Sequence, residues 1–65
     1  MKSGQKRSNI QLGSKVEIVQ KQHQRTGRLT QGLVIKFLTK SNFHPHGIKV
    51  VLESGEIGRV KNVLS

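Results

Sequence analysis

GIKVVLESGEIGRV, residues 47–60, sets Ile48, Val50 and Leu52 at every second position and then breaks at Ser54-Gly55. Ile48, Val50 and Leu52 fall on one side of an extended chain, with Lys49 on the other. A period of two belongs to a strand half-buried against a core; a helix would repeat every 3.6 residues. Ser54-Gly55 sits between this run and EIGRV, the pattern of a tight hairpin. Beyond it, KNVL is short and apolar at Val63 and Leu64, and predicts a helical turn and a closing strand.

Moving toward the N-terminus, HPHG breaks the chain, and TQGLVIKFLTK before it is rich in β-branched and aromatic residues. Gly32 disfavours a helix interior there, so a strand is predicted from about 31 to 39. Its phase is mixed: Leu33, Ile35 and Phe37 share one face, and Val34 and Leu38 the other. Either both faces are covered, or a bulge at Gly32 or Lys36 shifts the phase. Residues 22–29 are polar around Gly27 and read as a long loop. Val16 and Ile18 alternate with Lys15, Glu17 and Val19, giving a strand over 15–21, preceded by a turn at Gly13-Ser14. Residues 1–9 are polar and charged, and are expected to form a disordered basic arm before a single domain over 10–65. The expected fold is all-β: a small SH3-like barrel of four to five antiparallel strands, with an OB-like barrel as the alternative. Closing such a sheet removes most exposed edges.

Twelve Lys and Arg stand against three Asp and Glu, a formal charge of +9 on 65 residues. A domain this small buries only about 60% of its unfolded surface and has little apolar material to spare. An imbalance this large attracts polyanions, so nucleic acid is the expected partner, RNA ahead of DNA. There is no cysteine, hence no disulfide and no thiolate metal site. Lys2, Lys6 and Arg7 are followed by no apolar run of the kind a signal peptide carries, and no stretch approaches a membrane span. A cytoplasmic monomer, without membrane attachment, is expected.

Two loops hold the candidate chemistry. In KQHQRTGRLTQG, residues 21–32, Lys21, Arg25 and Arg28 bracket Thr26 and Gly27. Glycine admits a close phosphate, threonine offers a hydroxyl and arginine a planar fork. The spacing is not that of a P-loop, and a solvated loop whose Thr and Gly merely make the turn explains the same residues. His44-Pro45-His46-Gly47 fits a type I turn, with proline second and glycine fourth, which accounts for both without a ligand. A zinc site usually takes roughly three or four protein ligands. Here the histidines have only distant His23 as a third, so no metal and no cofactor is expected. A histidine general base would need a carboxylate partner, and of Glu17, Glu53 and Glu56 two sit at the hairpin turn, so no catalytic residue is expected. Imidazoles that contact phosphate or base are the functional alternative to a plain corner. Lys49, Arg59 and Lys61 would complete a basic stripe if they met the 21–28 loop. Phe37 and Phe43 are the only aromatics. Phe37 is expected in the core. Phe43 is expected to cap one end of the barrel, with an exposed base-stacking platform as its other reading.

QRTGRLTQGLV followed by HPHGIKVVLESGEIGRVKNVL resembles the YwbE family of small uncharacterised proteins, over roughly residues 10–64. That resemblance implies a single small β-domain and carries no activity with it. LGSKVEI and GEIGRVKNVL bear a weaker likeness to KOW-type and other SH3-like modules of ribosomal and transcription proteins. The expected function is a non-enzymatic nucleic-acid-binding module, RNA- or ribosome-associated. It would act through Lys21, Arg25, Thr26, Gly27, Arg28, His44, His46, Lys49, Arg59 and Lys61, with Phe43 for stacking. The alternative is a protein-interaction module that uses an SH3-like groove or a strand edge.

Overall fold

The computed structural model describes residues 2–65. Five strands form one antiparallel sheet: β1 (Lys2–Ser3), β2 (Lys15–Gln20), β3 (Thr30–Phe37), β4 (Lys49–Leu52) and β5 (Ile57–Val63). Their order is β1-β5-β2-β3-β4, and β4 also pairs with β5. Strands β2 to β5 therefore close on themselves as a small SH3-like barrel, with β1 as an added fifth strand. Consecutive barrel strands are all neighbours, so the chain meanders around the barrel. The OB-like alternative needs a Greek-key crossing that this order lacks. Among the described residues helical turns are limited to two 3₁₀ segments, Arg7–Asn9 and Lys21–His23.

The alternation read from residues 47–60 places the core correctly. Ile48, Val50 and Leu52 are fully buried and Lys49 is exposed. Ile10, Val16, Ile18, Val34, Val60 and Val63 complete the cluster, with Phe37 packed partly against it. The hairpin turn runs through Ser54 and Gly55, whose amide donates to the Leu52 carbonyl at 2.8 Å. No helical turn interrupts the tail: β5 continues to Val63.

Each mixed signal has a structural cause. In β3 the register to β4 shifts between Val34 and Lys36, so the bulge lies at Ile35, beside one of the two expected places. The shift lets Val34 point inward while Leu33 and Ile35 face solvent, and it returns Phe37 to the core side. Gly32 makes room for Leu52: a Cβ there would stand 2.7 Å from Leu52 Cδ1. A second shift separates the pairs Glu17↔Asn62 and Ile18↔Val60, which leaves Lys61 as the extra residue on β5.

The N-terminal segment departs from expectation. Met1 lies outside the described residues, but residues 2–9 are docked rather than a disordered arm. Strand β1 pairs with the end of β5, Lys2 against Val63 and Ser3 against Asn62. Buried Gly4 accepts from the Ile48 amide at 2.8 Å. Arg7 donates its amide to the Asn42 carbonyl at 2.9 Å and lays its guanidinium 4.7 Å over the Phe37 ring. Strand β4 pairs with only the first half of β5, and this segment takes the backbone positions left open beside the second half. Composition marked these residues as polar; it could not register that their backbone had donors waiting for them.

Candidate functional site

The 21–29 loop is a built turn. Gln20 Nε2 donates to Thr30 Oγ1 at 3.0 Å and closes its base. Gly27, at φ 72°, donates its amide to the His23 carbonyl at 2.9 Å. The Thr26 hydroxyl donates to that same carbonyl at 3.3 Å and accepts from the Arg28 amide at 3.4 Å. Thr26 and Gly27 thus spend their polar groups on the loop itself, and Arg25 and Arg28 are left exposed on its surface.

The histidine corner is a proline turn held from two sides. Gly47 donates its amide to the His44 carbonyl at 3.0 Å, closing the turn. The arm braces it from outside: Gln5 Nε2 donates to the Pro45 carbonyl at 2.7 Å, and the His44 amide donates to the Gln5 carbonyl at 3.0 Å. Inside the turn, His44 Nδ1 accepts from the His46 amide at 3.1 Å, with the ring centroids 5.8 Å apart. That nitrogen must be unprotonated to accept. Partial desolvation first, then the charges of Arg59 and His46, hold the His44 pKa below its ordinary value. His44 is therefore committed to the turn, and His46 is its exposed partner.

Strand β5 supplies two anchored cations. Arg59 Nη1 donates to Thr39 Oγ1 and to the Gly47 carbonyl, both at 3.3 Å. Lys61, aimed outward by the bulge, reaches the His46 carbonyl at 3.4 Å. Bulges commonly re-aim a side chain in this way beside a site.

These segments meet at two adjoining recesses that share Val19, Gln24 and Arg59. One, of about 460 Å³, is lined by Val19, Gln24, Gly27, His46, Arg59 and Lys61. The other, of about 790 Å³, adds Lys21 and Lys49, and Glu56 on its wall. Val19 is only 5% exposed although it faces away from the main core, so it forms an apolar floor. Six of the ten expected site residues line these recesses: Lys21, Gly27, His46, Lys49, Arg59 and Lys61. Arg25, Thr26 and Arg28 lie on the same loop outside the lining, and His44 stands behind the corner.

Phe43 corrects an expectation. It is 52% exposed and does not cap the barrel; Phe37 with Arg7 above it takes the partly buried place. Sequence reasoning missed Val19, Gln24 and Gln5. A valine at an outward position of β2 was the available signal for the floor. Nothing in the sequence linked Gln5 to Pro45, 40 positions away. Among the described residues no group of three or more His, Asp or Glu could hold a metal ion. No helix there is long and apolar enough to cross a membrane.

A family described as "Uncharacterized conserved protein (DUF2196)" matches residues 3–63. The chain belongs to this family. It is 57% identical over 63 residues to "Uncharacterized protein YwbE" of Bacillus subtilis (strain 168), covering 97% of each chain. The resemblance seen in QRTGRLTQGLV and HPHGIKV is thereby shown. The DUF2196 match also takes in most of the docked N-terminal segment, which the motif resemblance had left out. No solved structure matches the chain.

Proposed function

We propose that this DUF2196 protein is a non-enzymatic nucleic-acid-binding module, RNA- or ribosome-associated, that grips the phosphate backbone. The observation that carries this reading is the convergence of Lys21, Lys49, Arg59 and Lys61, from three separate segments, around adjoining recesses. Arg59 and Lys61 are held by backbone carbonyls, so they meet a phosphate with little further ordering cost. Arg25 and Arg28 extend the charge over the exposed loop. Replacing both with Ala should leave the fold intact, because neither is buried, and should weaken RNA binding in an electrophoretic shift assay. Unchanged affinity would remove the loop from the interface.

A second reading, a protein-interaction module, draws on Leu33, Ile35 and Ile57, which are 40%, 54% and 45% exposed on the outer faces of β3 and β5. Barrel closure leaves little free strand edge for a partner strand, so this reading rests on side chains. Such contacts would respond weakly to salt, whereas phosphate contacts lose affinity steeply.

A further inference from the structure

Phe43 is one of only two aromatics in a chain short of core material, yet it is 52% exposed. Its backbone is pinned. Lys6 bridges to it from the arm, the Ser41 hydroxyl donates to its carbonyl at 3.1 Å, and both neighbours bond the arm through Arg7 and Gln5. The ring is therefore presented to solvent from a fixed base. Three residues on, His46 lines the recess floored by Val19, with the Gln24 amide and Arg59 on its walls. The Val19 floor and the His46 ring offer a flat heterocycle apolar and aromatic surface, Gln24 offers it hydrogen bonds, and Arg59 and Lys61 at the same recess are left for the adjoining phosphate. Phe43 and the recess-lining His46 are three residues apart in the chain, connected through the His44–His46 corner.

We propose that the ligand is single-stranded nucleic acid, with one base stacked on Phe43 and another in the Val19-floored recess, the backbone between them crossing the His44–His46 corner. This rests on the nucleic-acid reading above and narrows it. A duplex keeps its bases stacked inside and can offer neither place a free base face. Base–aromatic stacking adds affinity with little sequence preference.

The chain has no Trp or Tyr, so Phe43→Trp installs a single emitter at the proposed platform. A single-stranded RNA oligonucleotide should quench its fluorescence on binding, while a duplex of equal length should bind more weakly and leave the emission unchanged. Phe43→Ala should lose about fivefold or more in single-strand affinity, with Phe43→Trp retaining it. If wild-type protein binds both RNAs equally, or Phe43→Ala binds like wild type, the single-strand proposal falls while backbone binding stands. If wild type binds neither RNA at low salt, the nucleic-acid reading itself falls and takes this one with it.

Discussion

At the scale of single residues, the histidine corner shows how much of a site can be spent on structure. Gly47 sits at φ 102°, and a Cβ there would run into the Val60 carbonyl. Gly13 has a similar φ of 88° but open space around it. Gly13→Ala should therefore cost about 1–2 kcal/mol from its left-handed backbone. Gly47→Ala should cost about 3 kcal/mol or more, because strain and a backbone collision add. Chemical denaturation of the two variants checks the difference. His44 makes a pH prediction. Its folded pKa lies below the unfolded value of about 6.5, so folding favours the neutral ring. That contribution is complete above about pH 6.5 and is lost as pH falls through the lower folded pKa. The thermal midpoint should decline on acidification in this window. His44→Asn keeps an acceptor for the His46 amide without titrating, and should flatten the decline. An equal slope in both proteins would mean that another group governs it. The proline and glycine of this corner were legible in the sequence because turns impose local rules. Arg59 reaching back to the Gly47 carbonyl was not, since the two meet only through the barrel.

At the scale of elements, strand existence was legible and strand ends were not. The runs expected over 15–21 and 31–39 are β2, Lys15–Gln20, and β3, Thr30–Phe37. Alternation reports which residues face the core; it does not report where pairing stops. The bulge at Ile35 was visible only as a conflict of phase, since tertiary pairing chose its position. The N-terminal segment was misread for a related reason. It contributes backbone pairing more than apolar side chains, and composition counts only the latter. Deleting residues 2–9 should then destabilise the domain. Besides the β1–β5 ladder, four inter-segment backbone bonds would go: Gly4 to Lys61, Ile48 to Gly4, Arg7 to Asn42 and His44 to Gln5. At roughly 0.5–1.5 kcal/mol each, the loss from these four is about 2–6 kcal/mol. Denaturant melts would measure it, and the Ile48 amide should lose its protection from hydrogen exchange. A truncated chain as stable as the parent would restore the view of a dispensable arm.

At the scale of the whole molecule, the question is whether charge is placed or merely plentiful. Lys21, Lys49, Arg59 and Lys61 line the two recesses, and Arg25 and Arg28 lie on the loop that carries Lys21. Lys2, Lys6, Arg7, Lys15, Lys36 and Lys40 line neither recess, so half of the twelve cations stand outside this set. Net charge alone would bind polyanions weakly from any direction. Two double variants of equal net charge separate the cases. Lys21→Gln with Lys61→Gln should reduce the slope of log affinity against log salt by about 1.4 for single-stranded RNA, roughly 0.7 per phosphate contact. Lys15→Gln with Lys36→Gln should leave that slope nearly unchanged. Equal effects from both pairs would mean diffuse attraction without a defined face.

The order of the amino acids was enough for the all-β class, the hairpin at Ser54-Gly55, the inward set on β4, the proline corner and the basic excess. Each of these follows from near-neighbour rules: two-residue periodicity, turn stereochemistry and summed charge. The docking of the arm, the exposure of Phe43, the floor at Val19 and the meeting of β5 with both loops were decided by barrel closure. They depend on contacts between positions 12 to 61 residues apart, from Arg59 with Gly47 to Lys2 with Val63. Such contacts form only where closure makes them geometrically available, and one-dimensional spacing does not record that.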